Sequence, residues 1–222
     1  PPLDALALQE FSAHMAQHEL MMLVGAPLLI AGRPLAVCLW GLPDSLRARS
    51  GRWLQSDISG RTWRLFTAPV VAWALHGVVV WVWHMPVLYE WAIQNESVHA
   101  AQHASFVVTA LLFWWVVLRP SPARGGTAAA IALLFGTVMH TGALGAVLTL
   151  SSRVLYTVYT STTGAWGFTS IQDQQVGGLI MWVPGGIVYV IAALWLVVRL
   201  FRESEQRVAR REAAQDASAE FR

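Results

Sequence analysis

Seven histidines stand in this chain of 222 residues, and four of them form two pairs with the same spacing, His14 with His18 and His99 with His103. Residues four apart share one face of a helix, so each pair can aim two imidazoles at a common centre. Imidazole suits copper, zinc, iron or nickel, whereas thioether sulfur favours Cu(I). Met21 and Met22 follow His18 by about a turn, Met85 follows His84, Met139 precedes His140, and Met181 lies in the last apolar stretch. This methionine supply tilts the expected ion towards copper, with zinc or iron as alternatives. The single Cys38 excludes an internal disulfide and a thiolate cluster. The candidate metal ligands are therefore His14, His18, His84, His99, His103, His140, Asp173 and Met181. Asp173 has a second reading, as a cap on the helix that follows it. Glu19 lies about 100° round a helix from His18 and is placed as a partner that orients an imidazole. His76 reads as a packing residue. Tyr156, Tyr159, Thr160, Ser161 and Thr162 form a polar, aromatic connection that either covers the site or is an ordinary exposed loop.

The elements that must carry these side chains are membrane helices. Hydrophobic residues make up 55% of the chain and charged ones only 13%, about half the charged share of a soluble domain. A crossing needs roughly 20 mainly apolar residues, and five stretches meet that length: 12–31, 66–85, 98–118, 127–149 and 175–200. The expected fold is an all-α, polytopic helical bundle over 1–201, followed by a charged tail, 202–222, that is helical or disordered. Between the first two stretches, 34–64 mixes Trp40, Trp53 and Trp63 with Arg47, Arg49, Arg52, Arg61 and Arg64, a composition that predicts a segment lying on the membrane surface.

Arginine supplies all fifteen basic residues, and its distribution predicts orientation. The first and third connections and the tail carry most of it and are placed in the cytoplasm. The N-terminal lead and the second and fourth connections are placed outside. Five spans then run from an outer N-terminus to a cytoplasmic C-terminus. On that scheme His14, His18, His84, His99, His103, His140 and Asp173 collect towards the outer side, and His76 alone sits near the middle. The chain opens on Pro1-Pro2 without Met, which reads as a processed or truncated start; a further helix before it fits the same scheme.

Several strings resemble one bacterial family. Phe11-Ser-Ala-His14-Met-Ala-Gln-His18-Glu-Leu-Met-Met-Leu-Val-Gly-Ala-Pro-Leu, Trp83-His84-Met85-Pro86, His99-Ala-Ala-Gln-His103 with Phe113-Trp114-Trp115, and Asp173-Gln-Gln-Val-Gly177-Gly178-Leu-Ile-Met181-Trp-Val-Pro184-Gly-Gly are similar to the CtaG-type cytochrome c oxidase assembly factors, in order and over nearly the whole chain. The resemblance implies a multi-pass inner-membrane protein that matures haem–copper oxidase by handling copper at the periplasmic face, with oxidase subunits or another copper chaperone as partners.

Three rival classes follow from the residues. A membrane metalloenzyme would use Glu19 as general base beside a histidine-bound ion. A haem cytochrome would need axial histidines from facing helices, which two histidines on one helix face do not provide. A copper or proton transporter would need polar groups continuing to the cytoplasmic side, and below His76 the helices offer almost none.

Overall fold

The computed structural model describes residues 2–32, 40–46, 48, 56–164 and 166–220. Among them the chain is helical and contains no strand. After a short helix α1 (Pro2–Ala7), α2 (Phe11–Gly32) makes the first crossing. Helix α3 (Asp57–Phe66) leads into α4 (Pro69–Trp83), followed by the short α5 (Pro86–Gln94), then α6 (Glu96–Leu118), α7 (Gly126–Leu150) and α8 (Ser170–Glu220). Four helices are long and apolar enough to cross a bilayer, and the bent pair α3–α4 makes a fifth if it counts as one span. The protein is thus an all-α, multi-pass membrane bundle. Large apolar side chains along α8, among them Ile187, Ile191, Leu194 and Phe201, are exposed, as suits a surface solvated by lipid.

Prolines set the breaks. A residue before proline is pushed out of the helical region, and Ala68 before Pro69 and Met85 before Pro86 are both extended. The first break bends α3 from α4 by 64°. The expected surface segment falls partly on α3, whose Trp63 ring meets Trp115 edge-on at 5.2 Å. Pro34, Arg47, Arg49, Arg52 and Trp53 lie outside the described residues. The second break starts α5, a helix that the sequence reading left as a connection. At the far end, α8 continues unbroken through the expected tail; its 51 residues span about 77 Å, more than twice the hydrocarbon thickness.

Within α2, Pro27 has a different consequence. Leu20–Gly25 is wound as π-helix, and the Ala26 N–H reaches back to the Met21 carbonyl. In that register Met22 O would receive its bond from residue 27, which as proline has no N–H. The Trp114 indole N–H of α6 donates to Met22 O instead, at 2.8 Å. A backbone acceptor that hydrocarbon would leave unpaired is thereby satisfied by a neighbouring helix.

Cross-bundle contacts fix which helix ends lie together. Asp173 at the start of α8 meets Phe11 at the start of α2, the Tyr156 hydroxyl donates to His84 O at the end of α4 at 2.8 Å, and Gln175 of α8 bonds to Ser151 just past α7 at 3.2 Å. At the opposite end Arg119 donates to Ile30 O at 3.0 Å. Helices α7 and α8 approach backbone to backbone: a Cβ at Gly145 would lie 2.9 Å from Gly178 O, and one at Gly178 would lie 2.7 Å from Gly145 O. Small residues permit such contact between membrane helices. Gly178→Leu is expected to destabilise the detergent-solubilised protein by about 3 kcal/mol, read as a lowered thermal midpoint. Gly186→Ala, where an added methyl meets open space, should leave the midpoint unchanged or slightly higher.

Candidate metal centre

The first turn of α2 is held by an acid from the last helix. Phe11 N–H donates to Asp173 Oδ2 at 2.6 Å, Ser12 N–H donates to Oδ1 at 3.0 Å, and the Ser12 hydroxyl also donates to Oδ1. The opening N–H groups of a helix have no partner of their own, and a carboxylate is the strongest acceptor for them. The cap on α8 itself is formed by Thr169 and Gln172, with Thr169 N–H to Gln172 Oε1 at 2.9 Å and Gln172 N–H back to Thr169 Oγ1 at 3.4 Å. Asp173 thus caps a helix, but α2 and not its own. Phe11 stacks on Tyr156 with 4.7 Å between centroids.

One turn further, His14 and His18 face the same side and meet His99 and His103 of α6. His14 Nε2 lies 2.9 Å from His18 Nε2, which lies 3.1 Å from His103 Nε2. The ligand atoms of these three residues fall within 4.8 Å of one another. The His99 ring adjoins His103 at 4.1 Å and His14 at 5.2 Å between centroids. Phe106 closes one side, edge-on to His18 at 4.8 Å.

A surrounding acceptor favours a bare nitrogen on His14 at the centre. His14 Nδ1 is 3.3 Å from Ala7 O; donating there leaves Nε2 with its lone pair turned to His18. Tyr159 O–H donates to the same carbonyl at 3.2 Å and sits 3.0 Å from the Tyr89 hydroxyl. Burial pushes the Tyr89, Tyr156 and Tyr159 phenols above their ordinary range, so they remain donors at every physiological pH. His84 follows the same rule: Nδ1–H donates to Val80 O at 2.7 Å, and the buried Nε2 has no hydrogen-bond partner among the described residues. Fixing one ring nitrogen on a carbonyl is how proteins select the other as a ligand.

The remaining sequence candidates go elsewhere. His140 lies against Gly77 and beside Trp73, between α4 and α7. Met181 is buried in the apolar core of the bundle. Both oxygens of Asp173 are taken by the start of α2. Glu19 points to α8, its Oε2 2.8 Å from where a Cβ on Gly185 would stand. One site residue, Tyr89, and one buried polar residue, Gln102, were missed by the sequence reading. Tyr89 sits on the unforeseen α5, announced only by Pro86 and the apolar residues after it. Gln102 is 1% exposed with neither amide atom partnered among the described residues, and its signal was its place inside the His99–His103 string.

If Asp173 sets the height of α2, Asp173→Ala should lower stability in detergent by about 2 kcal/mol. Asp173→Asn, which keeps one acceptor oxygen, should cost less; equal thermal midpoints for all three proteins would count against the cap.

The family model for the cytochrome c oxidase caa3 assembly factor matches residues 1–203. Uncharacterised proteins of Mycobacterium bovis and Mycobacterium tuberculosis are each 28% identical over 208 residues, covering 91% of this chain and 31% of their own length. One from Mycobacterium leprae is 25% identical over the same shares. The chain therefore spans about a third of the length of the curated relatives it matches. No solved structure matches it. With the match running through every crossing and through both histidine pairs, the chain belongs to the caa3-type cytochrome c oxidase assembly factor family.

Proposed function

We propose that this chain holds copper as cargo between His14, His18 and His103, with His99 and His84 beside them, and supports metallation of cytochrome c oxidase from that site. The observation that carries the reading is the meeting of three imidazole Nε2 atoms at 2.9 and 3.1 Å. Without a cation, His18 Nε2 has one proton or one lone pair to share with two neighbours, so one of its two contacts lacks a well-formed bond. An ion between the three satisfies all of them. Imidazole nitrogens bind at roughly 2.0–2.1 Å, which separates ligands by about 3.4 Å in tetrahedral or trigonal sets, so the two contacts through His18 need to open by only a few tenths of an ångström.

Copper is favoured by the family and by the donor set. Neutral imidazoles alone place no negative charge beside the ion, which suits a monovalent soft cation in a low-dielectric site better than a divalent one. The arginine-rich connections support an orientation with the histidine end of the bundle at the periplasmic side of the inner membrane, where an oxidase subunit or a second chaperone would exchange the ion. A haem between these histidines is disfavoured, because nitrogens about 3 Å apart leave no plane for a macrocycle. The metalloenzyme reading loses its general base, since Glu19 faces Gly185.

In cells lacking the endogenous factor, His14→Ala/His103→Ala is expected to leave cytochrome c oxidase with its haem spectrum and with at least tenfold less copper-dependent turnover. Oxidase of normal copper content would contradict the proposal.

A further inference from the structure

At the end of the bundle away from the histidines, the first turn of α7 and the lower part of α8 border an open cavity of about 210 Å³, and none of its lining residues belongs to the centre described above. Its walls include Pro122, Thr127, Arg199, Glu203, Arg207 and Arg210. Three guanidinium groups thus share the cavity with one carboxylate, which leaves it with positive charge in excess.

Glu203 organises the cluster. It accepts from Arg199 Nε at 2.8 Å and from the Thr127 hydroxyl at 3.1 Å, and it stands 3.8 Å from an Arg207 terminal nitrogen. The Thr127 bond ties α8 to the start of α7. Because Arg199 meets Glu203 through Nε, the fork of its two terminal nitrogens is left for another acceptor. Arg210 has neither an ion pair nor a hydrogen bond among the described residues. It lies three residues from Arg207 on one helix face, a like-charge pair that repels unless an anion sits between them.

The cavity stands where α8 leaves the lipid. Leu194, Trp195, Val198 and Phe201 are exposed apolar side chains just before it, and Trp is a residue of membrane interfaces. Ile191 and Trp195, 61% and 49% exposed, continue the row of Arg199, Glu203 and Arg207 in steps of four towards the bilayer interior. One face of α8 therefore offers an apolar stripe to acyl chains and, next to it, guanidinium groups to a phosphate. Guanidinium matches phosphate closely, since its parallel N–H donors meet two oxygens at once. A free phosphate would use only the polar half of that surface.

We infer that this cavity binds an anionic phospholipid, its phosphate among Arg199, Arg207 and Arg210 and its acyl chains along Trp195 and Ile191. The excess charge selects against zwitterionic lipids: an anionic headgroup cancels charge that the cavity holds unpaired, whereas a choline headgroup brings a cation of its own. Bound there, the lipid bridges α7 and α8 at the end opposite the Asp173 junction. The site is independent of the histidine centre and of the copper reading.

Retention of radiolabelled dioleoylphosphatidylglycerol and dioleoylphosphatidylcholine by the immobilised, detergent-solubilised chain tests this. The wild-type protein should retain phosphatidylglycerol at least tenfold better than phosphatidylcholine. Arg207→Gln/Arg210→Gln, a change of two exposed side chains, should bring the two lipids close to equal. Arg61→Gln/Arg64→Gln removes the same charge from exposed positions on α3, outside the cavity, and should keep the wild-type preference. Equal retention of both lipids by the wild type, a preference untouched in Arg207→Gln/Arg210→Gln, or one lost to the same extent in both variants overturns the site. A molar excess of inorganic phosphate should leave the lipid bound; displacement would assign the cavity to free phosphate and overturn the lipid reading.

Discussion

The carboxylate of Asp173 accepts the first two backbone N–H groups of α2, and the arrangement of the centre rests on that junction. An α-helix is rigid, so fixing its first turn against α8 sets both the height and the rotation of everything that follows. His14 stands one turn below the cap and His18 a turn below that. A rotation of α2 by one residue would swing both imidazoles about 100° away from α6. The loop between α7 and α8 reinforces the junction, because Tyr156 stacks on Phe11 and donates to the end of α4, and Tyr159 reaches Ala7. The last helix and its loop thus position histidines that belong to the first.

A second constraint is the bilayer, which leaves no water to satisfy stray polar atoms. The bundle meets it differently at its two levels. Where backbone is disturbed, at the π-helical turn before Pro27, Trp114 supplies the missing donor. Where imidazoles gather, Nδ1 of His14 and of His84 is tied to the carbonyls of Ala7 and Val80, and Nε2 of His14 meets Nε2 of His18.

Much of this was legible from the residues. The i, i+4 spacing of His14/His18 and His99/His103 is a local helical property, so their shared faces followed once the apolar stretches were recognised. That α2 and α6 meet there required only that polar groups avoid lipid. The destination of Asp173 was not legible, because a cap supplied across 161 residues of chain leaves no local pattern. His140 was grouped with the outer histidines by its depth along α7; depth does not reveal azimuth, and the space at Gly77 that draws it to α4 exists only after packing. α5 escaped notice because nine residues are too few for a crossing and the stretch read as a connection.

The central claim is that the Nε2 atoms of His14, His18 and His103 share one ion. X-ray absorption of the protein loaded with one equivalent of Cu(I), beside His18→Ala, tests it most directly. The account predicts a low-coordinate shell of nitrogen with the outer scattering of imidazole rings, lost or reduced in the variant. A sulfur shell, or a nitrogen shell unchanged by His18→Ala, would contradict it.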